Sequence, residues 1–184
     1  MFGYDGKTLP FPDAHFDVVT SNQVFEHVPD LEAGLVEIAH VLKPGGRLYF
    51  TFPHQDMWRE VHSNVFFVHW MTPHSRFRLA WLSLYRLLGR VRLKRKGGPR
   101  AWAAYFDRWL VDNTFYRRER DIRRAFAQAG LELSLDEAAY ARFRAQTAPG
   151  RGARLLSALP AGLARGLTRR LAGLAGSARR LPEG

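Results

Sequence analysis

Residues 9–53 read LPFPDAHFDVVTSNQVFEHVPDLEAGLVEIAHVLKPGGRLYFTFP, and the order of signals within them decides the fold. Phe16 to Thr20 is a short apolar run containing Val18 and Val19, the pattern of a strand covered on both faces. Pro29 and Asp30 then open a helix, with Asp30 placed to cap it and Glu32 favourable in its first turn. Leu31, Leu35, Ile38, Ala39 and Leu42 recur at helical spacing, so one face packs on a sheet. Lys43, Pro44, Gly45 and Gly46 end that helix, through proline exclusion and left-handed glycine geometry. Arg47 to Phe52 alternates around Leu48, Phe50 and Phe52 and reads as a second strand, closed by Pro53. Strand, helix and strand in so short a span predict a right-handed parallel crossover, hence an α/β fold.

Beyond this unit the pattern changes. From His54 to about Trp109 the chain is rich in aromatic residues and reads as helices, with Lys94 to Arg100 as a basic loop between two of them. Phe115 to Ala129 predicts an amphipathic helix with Ile122 and Phe126 inward and a row of arginines outward. Gly130 caps it, and Leu131 to Leu135 reads as a returning strand. After Ala148 the composition turns to Gly, Ala, Arg and Leu, with Leu155, Leu159, Leu163, Leu167, Leu171 and Leu174 as a stripe drifting round a helix. Four segments result: a core unit over 1–53, a helical insertion over 54–113, a returning helix and strand over 114–146, and a basic helical tail over 147–184.

The formal net charge of +11 predicts attraction to anionic partners. No Asp or Glu occurs from Val61 to Phe106, where Arg76, Arg78, Arg86, Arg90, Arg92, Lys94, Arg95, Lys96 and Arg100 all fall. Peripheral attachment to an anionic membrane surface is one expectation from this, since each basic residue there contributes about 1 kcal/mol. Nucleic acid is not an expected partner, because no nucleic-acid motif accompanies the basic and aromatic residues. Most of the tryptophans and phenylalanines of 54–109 read as the core of a small helical unit. The absence of cysteine excludes disulfides and thiolate metal sites. No signal peptide is visible and no apolar run is long enough to span a bilayer, so the expected location is cytoplasmic, with peripheral contact at the inner membrane face.

Ligands of an open parallel sheet bind beyond the carboxyl ends of its strands. That places Ser21, Asn22, Gln23, Glu26 and His27 where a ligand would sit, together with Pro53 to Asp56. His54, Asp56 and the later His62, His69 and His74 fit a loose metal-ligand pattern, but the segment reads as helix and loop rather than rigid strands, so no metal site is expected there.

The combination FDVV, EHVPD and LKPGG, in this order, resembles class I S-adenosylmethionine-dependent methyltransferases of the type 11 kind. The resemblance covers about residues 3 to 53, with a weaker match at Tyr116 to Leu133, and implies a Rossmann-like sheet. It implies that Asp5 and Gly6 contact the adenine of S-adenosylmethionine. By the same resemblance Ser21, Asn22 and Gln23 line the methionine or ribose side, and Glu26 and His27 face the transferred methyl group as the catalytic pair. The family's Gly-rich loop and ribose-binding acid have no counterpart in this sequence, so an incomplete sheet lacking its N-terminal strands, and about half a site, is expected. Methyl transfer to a small-molecule or lipid-linked acceptor, impaired or incomplete in this chain, is the implied activity. The alternative is a non-catalytic methyltransferase-like fragment acting as a membrane-surface or protein-binding module, with oligomerisation through an open sheet edge. In-frame coding sequence upstream of Met1 is a further expectation.

Overall fold

A computed structural model describes residues 8–92, 97–147 and 151–182. Phe16–Asn22 forms β1, Leu31–Val41 forms α1 and Leu42–Phe52 forms β2, with β1 and β2 paired in parallel. Asp30 caps α1 as its position predicts, its carboxylate accepting from the Ala33 amide at 3.0 Å. The second strand begins at Leu42 rather than Arg47. The register jumps from Phe16 opposite Leu42 to Val18 opposite Arg47, so Lys43 to Gly46 bulge outward, and Gly45 supplies the left-handed φ of 78° that the bulge requires.

The insertion holds α2, Arg76–Leu87, and α3, Pro99–Asn113, which pack together. Residues 54–75 are largely irregular rather than helical, apart from a 3-10 turn at Val68–Trp70. Lys94, Arg95 and Lys96 of the expected basic loop lie outside the described residues. Val65, Val68, Leu82, Val91, Trp102, Phe106 and Leu110 form a separate small core, so much of the aromatic content is packing.

Two elements follow close to expectation: α4 at Glu119–Gln128 and β3 at Leu131–Leu135. The helix starts four residues later than its pattern suggests, because Phe115 donates its amide to the Glu26 carbonyl at 2.7 Å and Arg117 ties down the loop after β1. Past it come α5, Glu137–Thr147, α6, Arg151–Ser157, and α7, Ala161–Leu171.

The tail is not wholly helical. Leu174–Arg180 forms β4, which inserts between β2 and β3 and runs antiparallel to both, giving the order β1-β2-β4-β3 and a mixed sheet. Leu174 is fully buried there and not part of a helical stripe. The strand admits no side chain at Gly176, where a Cβ would collide with the Ser134 carbonyl oxygen of β3. The tail is also fastened to the rest of the fold. Arg169 pairs with Glu119 at 2.8 Å and with buried Glu137 at 3.0 Å, and Arg170 donates to the Asp56 carbonyl at 2.6 Å.

One sheet face is closed by α1 and α4 around Leu35, Leu48, Phe50, Phe52, Ile122 and Phe126. The opposite face is covered only in part, by α5, leaving an open cavity of about 720 Å³ along Thr20, Asn22, Tyr49, Thr51, Ala175 and Ser177. Among the described residues β1 pairs with β2 alone, and no helix is long and apolar enough to cross a membrane.

Candidate functional site

At the carboxyl end of β1 the chain turns sharply out of the sheet. Gln23 takes a left-handed φ of 55°, rare for a residue with a side chain, while its amide donates to the Thr51 carbonyl at 2.7 Å. Ser21 and Asn22 therefore end at the rim of the cavity on the half-covered sheet face. The Ser21 hydroxyl is buried and has no hydrogen-bond partner among the described residues, and Asn22 is exposed beside it. A buried hydroxyl in that state is suited to a polar ligand. Asp5 and Gly6 lie outside the described residues.

Phe25–His27 forms a 3-10 turn that sends Phe25 into the core and keeps Glu26 and His27 near each other, with His27 Nε2 3.8 Å from Glu26 Oε1. Phe25 enters the core between Phe52 and Phe126, with ring centroids 5.2 and 6.4 Å away. Glu26 is 1% exposed, and neither carboxylate oxygen has a hydrogen-bond partner among the described residues. Burial raises its pKa above the ordinary carboxylate value. His27 turns toward the insertion, its Nδ1 2.5 Å from the Asn113 carbonyl at the end of α3 and its ring 5.1 Å from that of His62. Arg117 holds the turn in place by donating to the carbonyls of Phe25, Val28 and Pro29.

Behind this pair lies a network that no local motif announces. Glu60, buried in the insertion, accepts from the Tyr116 hydroxyl at 2.6 Å and from the amide and hydroxyl of Ser63, both at 2.5 Å. It also accepts from His62, through the backbone amide at 2.9 Å and ring Nδ1 at 2.7 Å. Burial alone would raise its pKa, but the hydrogen bonds and the His62 imidazole outweigh that and lower it to about 2. Burial and the neighbouring Glu60 push the Tyr116 phenol well above its usual value. Trp109 closes the group, its ring 5.1 Å from His62 and 6.2 Å from His27. Glu60 and Tyr116 were open to detection only as acid and phenol flanking aromatic segments, since 56 residues separate them.

The His54–Asp56 pattern brings no third ligand together. His54 is buried with Nε2 3.1 Å from the Arg169 carbonyl, His69 is 3.0 Å from the Met57 carbonyl, and His74 pairs with Asp107 at 2.6 Å. A larger hollow of about 1130 Å³ between α2 and the start of α3 shares no residue with the β1 loop, so it is not the site this loop builds.

Residues 3–50 match the methyltransferase domain family. A ubiquinone/menaquinone biosynthesis C-methyltransferase of Shewanella halifaxensis is 39% identical over 61 residues, which is 32% of this chain and 24% of that protein. A demethylmenaquinone methyltransferase of Corynebacterium efficiens is 54% identical over 44 residues, covering 24% of this chain and 19% of that one. The chain thus spans about a quarter or less of these curated relatives. In overall fold it is similar to an S-adenosylmethionine-dependent methyltransferase from Mesorhizobium loti, with a TM-score of 0.51 and 19% identity over 96% of this chain and 67% of that chain. Residues 3–50 thus carry the likeness to the methyltransferase domain, and the chain as a whole is similar in fold to an S-adenosylmethionine-dependent methyltransferase.

Proposed function

We propose that this chain carries the acceptor side of a methyl-transfer site, with the cofactor against the end of β1 and the acceptor between the Glu26–His27 turn and the insertion. The observation that carries this reading is the direction of His27. It leaves the β1 loop and packs against Asn113, His62 and Trp109, so the loop and the insertion meet in one polar cluster. S-adenosylmethionine, when bound, supplies an electrophilic methyl group. Ser21 and Asn22 are the residues that would hold it here. The transfer needs positioning above all, and an aromatic wall of Trp109 with the two imidazoles orients a bound acceptor. For a hydroxyl or amine acceptor His27 Nε2 is placed to take the proton.

The acceptor class favoured is anionic or lipid-linked. Phe67, Trp70 and Phe77 of the insertion are 38%, 47% and 67% exposed, in the same segment as Arg76, Arg86 and Arg90. Such a surface suits an acceptor presented at a membrane, and the relatives named for quinone biosynthesis favour the same choice.

Calorimetry with S-adenosylhomocysteine tests the cofactor half of this reading. One-to-one binding near micromolar, worth about 8 kcal/mol, is expected. Asn22→Ala is expected to weaken it about tenfold through one lost hydrogen bond. No heat at millimolar ligand, or an unchanged affinity in the variant, defeats the assignment.

A second reading is a non-catalytic module that binds another copy through β1. Its outer edge is unpaired among the described residues, and Val18 is 52% exposed on it. Sedimentation velocity is then expected to show a dimer that Val18→Lys returns to monomer. A monomeric wild-type chain sinks it.

A further inference from the structure

Glu26 sets a chemical demand that no described residue meets. Its carboxylate is buried, and both oxygens are without hydrogen bonds. A carboxylate taken out of water in this way is stabilised by a cation placed against it. The groups facing it are imidazoles already arranged to accept one. His27 Nδ1 is engaged by the Asn113 carbonyl at 2.5 Å, an acceptor that fixes the ring proton on Nδ1 and leaves the Nε2 lone pair outward. His62 Nδ1 is engaged by the Glu60 carboxylate at 2.7 Å, with the same consequence for its Nε2. His27 Nε2 stands 3.8 Å from Glu26 Oε1. One ligand atom from each of Glu26, His27 and His62 lies within 4.8 Å of the others.

We propose that Glu26, His27 and His62 form a binding site for a divalent transition-metal ion, with Zn²⁺ as the fitting case. Two imidazoles and one carboxylate suit Zn²⁺ and its first-row neighbours, whereas Mg²⁺ and Ca²⁺ favour oxygen-only sets. Each histidine also has the outer partner that metal-bound imidazoles need. Glu60 behind His62 is a carboxylate–histidine pair, and the Asn113 carbonyl does the same for His27. Two ligands of one zinc ion, each about 2.0–2.2 Å from it, stand no more than about 4.3 Å apart. The present spacing therefore closes by a small movement, which His27 can make because it sits on a short turn with its side chain 36% exposed.

Three protein ligands would leave the fourth position of a tetrahedral ion to water or an acceptor; the Trp109 ring packs against both imidazoles. An acceptor oxygen or phosphate would bind there as a metal ligand, and its proton would be acidified by the ion. That arrangement replaces proton transfer to His27 Nε2, since a bound ion takes up the same lone pair.

The test uses the full chain, stripped with a chelator and titrated with Zn²⁺ by calorimetry, without cofactor or acceptor. Its outcome is therefore separate from that of the methyl-transfer reading. One Zn²⁺ per chain is expected, and Co²⁺ is expected to show the visible absorption of a four-coordinate site. Glu26→Gln and His27→Ala are each expected to weaken Zn²⁺ at least about tenfold, more than loss of an outer partner alone. His27→Ala alters a partly exposed side chain and remains decisive if Glu26→Gln does not fold. His40→Ala removes a surface imidazole paired with exposed Asp13 at 3.0 Å, and is expected to leave binding unchanged within about twofold. Absence of one-to-one binding overturns the proposal, as does binding that survives His27→Ala.

Discussion

Phe126→Ala is expected to lower the unfolding free energy by about 3–5 kcal/mol, the range for an aromatic ring deleted from a closed core. Phe126 is fully buried on α4, with its ring 5.1 Å from Phe50 of β2 and 6.4 Å from Phe25 of the β1 loop. It thus joins helix, strand and site-bearing turn in one cluster, and the cavity left behind would be lined from three directions. Domains of this size are stable by only about 5–15 kcal/mol, so the loss is a large share of the whole. Urea unfolding followed by circular dichroism measures it. A change below about 1 kcal/mol would mean that the α4 face of the sheet is not the principal core.

The second large effect is expected at Glu60. Its carboxylate satisfies the Tyr116 hydroxyl, two donors of Ser63 and two of His62. Glu60→Ala strands those donors in a site with 1% exposure at its centre, and is expected to cost about 3–5 kcal/mol. Its pH dependence has a definite sign. The folded pKa of about 2 lies below the ordinary glutamate value of 4.5, so Glu60 contributes stability above about pH 4.5 and loses it as pH falls toward 2. Glu26 acts oppositely: its folded pKa is raised, so its protonation on acidification favours the folded state. The difference between wild type and Glu60→Gln isolates the first contribution. That difference is expected to shrink as pH is lowered from 5 toward 2, and a constant difference across this window would refute the charge assignment.

Glu60 also bears on how the basic insertion is read. The acid-free stretch Val61 to Phe106 is bounded by Glu60 and Asp107, and both are buried in polar pairs. Asp107 holds Arg78 at 2.7 Å and His74 at 2.6 Å. A charge tally along the chain therefore overstates the surface field. Arg78, Arg169 and Arg117 are occupied inside the molecule, and Arg76, Arg90 and Arg100 are better candidates for an anionic partner.

Much of the fold was legible because its signals are local. The strand read over Phe16 to Thr20, which the structure extends to Asn22, the Asp30 cap and the helical spacing of Leu31, Leu35 and Ile38 act through neighbours a few residues away. Ile122, Phe126 and the strand Leu131–Leu135 were legible for the same reason. The candidate residues Ser21, Asn22, Gln23, Glu26 and His27 followed from one rule about strand ends and one family resemblance, and the structure places all five at the end of β1. The late start of α4 was not legible, since it depends on bonds from Phe115 and Arg117 to a loop nearly 90 residues earlier.

The sequence by itself determined the likeness of residues 3–50 to the methyltransferase domain, the β1–α1–β2 unit and the loop on which chemistry would sit, because each depends on side chains close together along the chain. Only the tertiary structure decided the rest. Leu174–Arg180, a run of mostly small and basic residues without intrinsic strand preference, became a strand because it pairs with β2 on one side and β3 on the other, so closely at Gly176 that a Cβ there would meet β3. In the same way Glu26 and His27 acquired His62, Glu60 and Tyr116 as a joint polar site only when the chain beyond β2 folded back over the β1 loop. No spacing encodes that contact, because it is set by packing between α3 and the turn.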